Sequence, residues 1–322
     1  MEGRQAMDQQ CFAMLGAAGF VAPRHMAAIK DTGHKLVAAM DKNDSVGIID
    51  SYFPDASYFT EFERFDRHID LLRRKEEEVN YFSICSPNYL HDSHIRFSLR
   101  SGGDAICEKP LVLNPWNIDG LIEVEKDTGH RVNTILQLRL HDSVNALKHE
   151  LENSSNTSKV DVDLTYITSR GKWYHSSWKG DESKSGGIAT NIGVHFYDML
   201  YYVFGDLQQN VLHYSSASTA AGYLEYERAR VRWLLSIDEA NIPEESRAKG
   251  MRTHRSITIG SNEFEFSGGF TDLHTRSYEG ILIGEGFGLE DNRVAIETVA
   301  SIRNQTPNLH AGEVHPAVSA LL

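Results

Sequence analysis

The stretch CFAMLGAAGFVAPRH, residues 11–25, decides the fold. CFAML is an apolar run of strand length, GAAG is a turn of small residues, and helical spacing begins at Pro23 and runs to Thr32. A strand that feeds a helix through Gly16 and Gly19, with Ala22 third, is a loosened dinucleotide-binding turn. Its small residues permit the tight bend and let a pyrophosphate approach a helix N-terminus. KLVAAMD then predicts a second strand closed by Asp41, 22 residues beyond Gly19 (41 − 19). An acid there accepts hydrogen bonds from both adenosine ribose hydroxyls and repels a 2′-phosphate, so NAD is expected rather than NADP. Asp44 reads as a solvated loop charge.

Working outward, strand-like and helix-like stretches alternate from Phe12 to Val112, the pattern of βαβ units on a parallel sheet. FERFDRHIDLLRRKEEEVN carries helical spacing into the strand YFSICS. SHIRFSLRSG reads as a helix closed by glycine, and DAICEKP as a strand stopped by its proline. After Gln137 the period changes to two. KVDVDLTYITS, NVLHYSSAS, AGYLEYERARVRWLLSI, HRSITIG and NEFEFSG read as long strands of a half-covered, largely antiparallel sheet, followed by helices in TRSYEGILIG and DNRVAIETVASIRN. The fold class is therefore α/β: a dinucleotide-binding domain over residues 1–138 and an α+β domain with a large open sheet over 139–322.

Bulk properties agree. A chain of 322 residues exceeds what one core usually supports. With 32 basic and 45 acidic side chains the net charge is −13, which argues against a nucleic-acid or anionic-membrane surface and requires local cations for any anionic ligand. Cys11, Cys85 and Cys107 are odd in number and lack CxxC spacing, so core positions and a reducing cytoplasm are expected. The first ten residues resemble neither a signal peptide nor an anchor; they read as a loose extension in which Met7 offers an alternative start.

Two further motifs follow strands of the first sheet: SPNYLH at 86–91 and CEKP at 107–110. Ligands bind beyond strand carboxyl ends in open α/β sheets, which makes Asn88, His91, Glu108 and Lys109 candidates. Further on, SGGIATNIGVHFYDML (185–200) sets Asn191, His195 and Asp198 at i, i+4 and i+7, one face of a helix begun at Asn191. The stretch from Arg170 to Lys184 interleaves Arg170, Lys172, Lys179 and Lys184 with Trp173, Tyr174 and Trp178, cations for phosphate or carboxylate and aromatics for a ring face. His91 and His94 share a helix at i, i+3, yet no cysteine or carboxylate set completes a metal site, so no metal is expected.

These motifs resemble the glucose-fructose oxidoreductase and inositol dehydrogenase (Gfo/Idh/MocA) family, over nearly the whole chain. Within it, GAAGFVAPRHMAAIKDTG, DLTYITSRGKWYHSSWKGD and ATNIGVHFYDML look like the UDP-N-acetyl-2-amino-2-deoxy-D-glucuronate dehydrogenases of lipopolysaccharide O-antigen sugar synthesis. The resemblance implies NAD-dependent oxidation of a sugar 3′-hydroxyl on a UDP-N-acetylglucosaminuronate, in a cytoplasmic homotetramer built through the C-terminal sheets. 2-Oxoglutarate is an implied cofactor-recycling partner. Carried over, Gly16, Ala18, Gly19, Phe20, Asp41, Ser86, Asn88, His91, Glu108, Lys109 and Gln137 bind NAD. Arg170, Trp173, Tyr174, Lys179, Asn191 and His195 bind substrate, and Lys109 and His195 are catalytic.

The family's usual Asp four residues before the catalytic His is here Asn191, which cannot accept a proton. Removal of the hydroxyl proton therefore falls to Lys109 or His195. Lysine needs burial or a neighbouring positive charge to act as a base near neutrality, whereas histidine titrates there unaided. The reading is that Lys109 hydrogen-bonds the reacting oxygen, His195 accepts or relays its proton and Asn191 holds a sugar hydroxyl. Asp198 either fixes the histidine tautomer or belongs to a separate structural network. The competing readings are a dehydrogenase of a free sugar or inositol, and a dinucleotide sensor without turnover.

Overall fold

A computed structural model describes residues 8–155, 158–260, 262–264 and 272–321. The first sheet contains β1 (Cys11–Leu15), β2 (Lys35–Met40), β3 (Ser57–Phe59), β4 (Tyr81–Ile84), β5 (Asp104–Cys107) and β6 (Val132–Thr134). All neighbours pair in parallel, in the order β3-β2-β1-β4-β5-β6. The order reverses between β1 and β4, which makes that point the ligand-binding crevice of a doubly wound sheet. Phe12, Ala13, Met14 and Leu15 are fully buried, as expected of a parallel strand covered by helices on both faces.

Register fixes where the strands stop. Leu15 pairs with both Met40 and Ile84, Ile84 pairs with Cys107, and Cys107 with Thr134. Gly16, Asp41, Cys85 and Glu108 consequently leave the sheet at one edge. The helices Ala22–Asp31, Phe62–Arg74 and His91–Arg100 stand where the sequence pattern predicts them.

The second sheet contains β7 (Val160–Thr168), β8 (Leu207–Ser215), β9 (Thr219–Tyr226), β10 (Ala229–Ser236), β11 (Thr253–Ile259) and β12 (Asn262–Glu263), in the order β12-β11-β7-β10-β9-β8. It is mixed and mostly antiparallel: among the described residues β7 and β10 pair in parallel and the other neighbours antiparallel. AGYLEYERARVRWLLSI is not one strand but the hairpin β9–β10. Its turn, Glu227–Arg228, lacks glycine, asparagine or proline, and is held instead by Glu227 N–H on Asp206 O (2.9 Å) and Arg228 N–H on Phe204 O (3.0 Å). Residues 265–268 of NEFEFSG lie outside the described residues, as do 1–7 of the N-terminal extension.

The half-covered reading of this sheet needs correction. On one face the helix Val194–Phe204 packs down, with Tyr197 edge-on to Trp233 (5.4 Å) and Gly193 so close that a Cβ would lie 2.5 Å from Leu235. On the other, residues 305–321 cross the strands. Val318 joins Ile167, Ala221, Leu234 and Ile242 in an apolar cluster, and His213 Nε2 meets Ala311 O at 2.7 Å. The same face stays partly open along Arg230–Asp161 (2.7 Å) and Arg232–Asp163 (2.6 Å).

The chain forms two compact units whose segments alternate along the sequence. One comprises residues 1–111, 116–135 and 272–289; the other 112–115, 136–271 and 290–322. The physical reason is the helix Leu273–Leu282, whose Tyr278 and Ile281 belong to the core of the first unit together with Phe12, Met26 and Ile106. Burying two such side chains contributes about 3–6 kcal/mol to that unit. Among the described residues no helix is long and apolar enough to cross a membrane.

His315 pins the tail: its Nδ1 accepts from Ala317 N–H at 3.2 Å, and its Nε2 lies 3.0 Å from Thr165 Oγ1. Burial pushes its pKa down to about 4, with Asp163 opposing the shift and Arg232 adding to it. Between the unfolded value near 6.5 and about 4 the unfolded chain binds a proton that the folded chain does not. Stability on this account is complete above pH 6.5 and is lost as pH falls through that window. The thermal midpoint should drop from pH 7 to pH 4, and His315→Gln should lose part of that dependence. An unchanged dependence in the variant counts against the assignment.

Candidate active site

On the first unit the site is built from strand ends. Gly16 has φ +88°, and a Cβ there would sit 2.5 Å from both Cys85 C and Ser86 N, so only glycine fits. Gly19 is nearly as close, 3.0 Å from Gly16 O. The following helix has no side-chain cap, carries proline in its first turn and no acid there, which leaves its positive end to an anion. Phe20 lies 90% exposed at the tip of the turn.

Asp41 is the fixed acid. Its Oδ2 accepts from Ala18 N–H at 3.0 Å, and its Oδ1 from Asn43 N–H (3.0 Å) and Asn43 Nδ2 (3.1 Å). Tyr58 donates to Asp41 O at 2.8 Å; burial, with Asp41 and Asp44 nearby, pushes this phenol up to about 12. Ribose-facing acid, glycine cradle and uncapped helix start together fit NAD.

Ser86, Asn88 and His91 pack behind the next turn, all buried. His91 Nδ1 lies 2.8 Å from Pro110 O and its Nε2 2.8 Å from Ser86 O, tying SPNYLH to CEKP. Burial lowers the His91 pKa against the pull of those two carbonyls. His94 meets Ser86 Oγ at 2.9 Å and is pushed to about 4 by burial and by His91. Lys109 is half-buried beside Glu108. Burial alone would raise the Glu108 carboxyl; hydrogen bonds with His25 and His274 outweigh it and hold it well below the usual range. His25, His274 and Tyr278 were not legible as site residues in the sequence, because their only local signal is the i, i+4 spacing of His274 and Tyr278. The Cys85 and Cys107 thiols are pushed well up by burial, with Glu108 adding to it, and all three cysteines are free.

On the second unit the helical reading of Asn191 is corrected. Gly186 and Gly187 turn left-handed (φ +81° and +79°), residues Ala189–Gly193 form a wide π turn, and the α-helix begins only at Val194. Such an inserted residue shifts Asn191 out of the register of His195 and Asp198. Asn191 Nδ2 donates to Tyr174 OH at 2.8 Å. Tyr174 is 1% exposed, so it orients Asn191 and offers no ring face. His195 is half-buried against Phe196 (4.1 Å between ring centres).

Asp198 belongs to the structural network. Buried, it accepts from Arg139 Nη2 at 2.7 Å and Nε at 3.1 Å, and Arg139 Nη1 reaches Asp291 at 3.2 Å. That ion pair fastens the turn Gln137–Leu140, and with it Gln137, to the helix bearing His195. In the cation-rich stretch Trp173 is 55% exposed, Trp178 half-buried under Lys179 Nζ (4.9 Å), and Arg170 and Lys172 exposed. Lys184 pairs with Asp181 at 3.0 Å.

Residues 11–135 match the family model for the oxidoreductase family's NAD-binding Rossmann fold (Gfo/Idh/MocA), and residues 156–304 that for its C-terminal alpha/beta domain. The chain belongs to this family. It is 49% identical to the WlbA (WbpB) dehydrogenase from Thermus thermophilus solved with NAD and UDP-GlcNAcA, over 96% of this chain and 99% of that one, with TM-score 0.91. The same enzyme solved with NAD and alpha-ketoglutarate aligns at 50% identity and TM-score 0.92, over 96% and 99% of the two chains. A curated relative, the D-glucoside 3-dehydrogenase of Escherichia coli, is 26% identical over 127 residues, 38% of this chain and 35% of that protein. The chain spans less than half the length of the first curated relatives it matches.

Two substitutions separate strain from crowding. Gly33 shares the left-handed conformation (φ +83°) but has open space around it. Gly33→Ala should cost about 1–2 kcal/mol in chemical denaturation, whereas Gly16→Ala should cost more and also lose bound NAD; equal costs would contradict the close contact. Asp41→Ala removes charged acceptors, each worth about 1.5–3 kcal/mol. NAD affinity measured by calorimetry should therefore fall at least about 10-fold, with NADP affinity falling less.

Proposed function

We propose that this protein oxidises the 3′-hydroxyl of a UDP-N-acetylglucosaminuronate to the 3-keto sugar nucleotide with NAD, within lipopolysaccharide O-antigen sugar synthesis. The observation that carries the reading is 49% identity across nearly the full length to a dehydrogenase solved with NAD and UDP-GlcNAcA. The presence of Lys109 and His195 in their motifs supports it.

The reaction breaks the C3–H and O–H bonds and forms a carbonyl. NAD held by the residues below would supply the acceptor for the C3 hydride. The hydroxyl proton leaves to the protein: Lys109 hydrogen-bonds the oxygen and His195 accepts or relays the proton. Asn191, held by Tyr174, has no proton-accepting role and contacts a sugar hydroxyl. Gly16, Ala18, Gly19, Phe20, Asp41, Ser86, Asn88, His91, Glu108 and Gln137 form the NAD side. Arg170, Trp173 and Lys179, with Tyr174 as support, form the side for the charged sugar nucleotide.

Alpha-ketoglutarate beside NAD in a half-identical structure supports cofactor recycling by 2-oxoglutarate, reduced at its keto carbon to 2-hydroxyglutarate. A homotetramer joined through the open, charged part of the second sheet and a cytoplasmic setting complete the proposal; three free thiols support the latter.

The test is reduced-nicotinamide absorbance in a stopped single turnover with NAD and UDP-N-acetylglucosaminuronate, beside UDP-N-acetylglucosamine. Signal with the uronate alone is expected. No signal with either sugar while NAD is bound would overturn the substrate and favour a free sugar or a sensing role.

A further inference from the structure

We propose that His274 and His25 are positioning residues for this reaction, clamping Glu108 so that the turn bearing Lys109 is held in its working geometry. The inference deepens the proposed function and rests on Lys109 meeting the reacting hydroxyl.

Glu108 leaves β5 buried, and its two oxygens do different things. Oε1 lies 3.0 Å from His25 Nε2 and 3.0 Å from His274 Nε2, while Oε2 lies 3.3 Å from Lys109 N–H. One carboxylate thus links two helices to the backbone of Lys109. The circuit continues from His25 Nδ1 to Tyr278 OH (2.8 Å) and from Tyr278 OH to Ser83 Oγ (2.6 Å) on β4.

The hydrogens can be placed by elimination. An ionised carboxylate only accepts, so both histidines present Nε2–H to Glu108. His25 Nδ1 is then an acceptor for the Tyr278 hydroxyl, whose oxygen accepts from Ser83. Each contact has one donor and one acceptor. The helix Leu273–Leu282 supplies both His274 and Tyr278 one turn apart, so a segment more than 160 residues downstream of Glu108 closes the network.

The three ligand atoms lie within 4.8 Å of one another, near enough to surround a cation. A cation would need the Nε2 lone pairs that the hydrogen bonds to Glu108 cover with protons, so the two states exclude each other. Without His274, the buried carboxylate loses one of two charge-assisted donors and the Glu108–Pro110 turn relaxes. A displacement of about 1 Å at a reacting group costs about 100-fold in rate.

The test uses the full chain carrying His274→Leu, which removes the donor, and His274→Gln, which restores one. Hydrogen–deuterium exchange of the peptide covering residues 108–112 should be about tenfold faster in the leucine variant. The single-turnover rate with the sugar nucleotide should fall about 30- to 100-fold while its KM changes less than about threefold, and glutamine should recover most of the rate. Unchanged exchange, or faster exchange with an unchanged rate, would overturn the clamp. So would stoichiometric zinc binding by the wild type that His274→Leu abolishes. Should the leucine variant not fold, Tyr278→Phe cuts the same circuit at its hydroxyl and is read by the same two measurements. A wild type inactive on sugar nucleotides would sink the proposed function instead, and the exchange result would still decide the clamp.

Discussion

The contact between Gly16 and the peptide joining Cys85 to Ser86 is the constraint on which the cofactor half depends. A side chain at Gly16 would stand 2.5 Å from that peptide, so the β1 turn and the β4 turn can approach only as glycine against backbone. The approach is possible because β1 and β4 end in register, Leu15 opposite Ile84. The same register carries Asp41 and Glu108 to the edge, and a one-residue slip would turn each inward-facing side chain to the other face of the sheet. Sheet register, more than any single side chain, therefore assembles this half of the chemistry.

The second unit uses a buried ion pair for the same purpose. Arg139 and Asp198 are both almost fully buried, and breaking such a pair on one side leaves an uncompensated charge at a cost of about 3–5 kcal/mol. The pair links Gln137 to the helix of His195, and the π turn before that helix lets Asn191 face Tyr174 while Asp198 faces Arg139. Of three polar residues that look like one stripe in the sequence, Asn191 meets Tyr174 and Asp198 meets Arg139.

That divergence marks what the sequence could disclose. Strand ends and glycine turns were legible because each is written within about ten residues: CFAML with Gly16, KLVAAM with Asp41, YFSIC with Ser86. Asn191 leaves the stripe because the sequence pattern describes a straight helix, and a π turn has no local signature beyond the paired glycines. The hairpin at Glu227–Arg228 leaves no mark in the pattern of alternation because its turn is stabilised from Phe204 and Asp206. His25 and His274 were invisible for the same reason, since 166 residues separate His274 from the carboxylate it holds. Long-range polar pairs leave no period in a sequence.

Asp41 shows how such local and remote features combine into selectivity. Both of its oxygens already accept hydrogen bonds, from Ala18 on one side and Asn43 on the other. A carboxylate offers about four lone-pair sites, so the three bonds from Ala18 and Asn43 fix its orientation and leave about one acceptor, on Oδ2, for a ribose hydroxyl. Tyr58, kept from ionising by a pKa pushed up to about 12, braces the backbone of the same residue as a neutral donor. A 2′-phosphate would thus meet a carboxylate that is fixed in place, with exposed Lys42 next to it along the chain. Anchorage of this kind keeps the acid facing the ribose: a mobile acid could swing aside, and one held on both oxygens cannot.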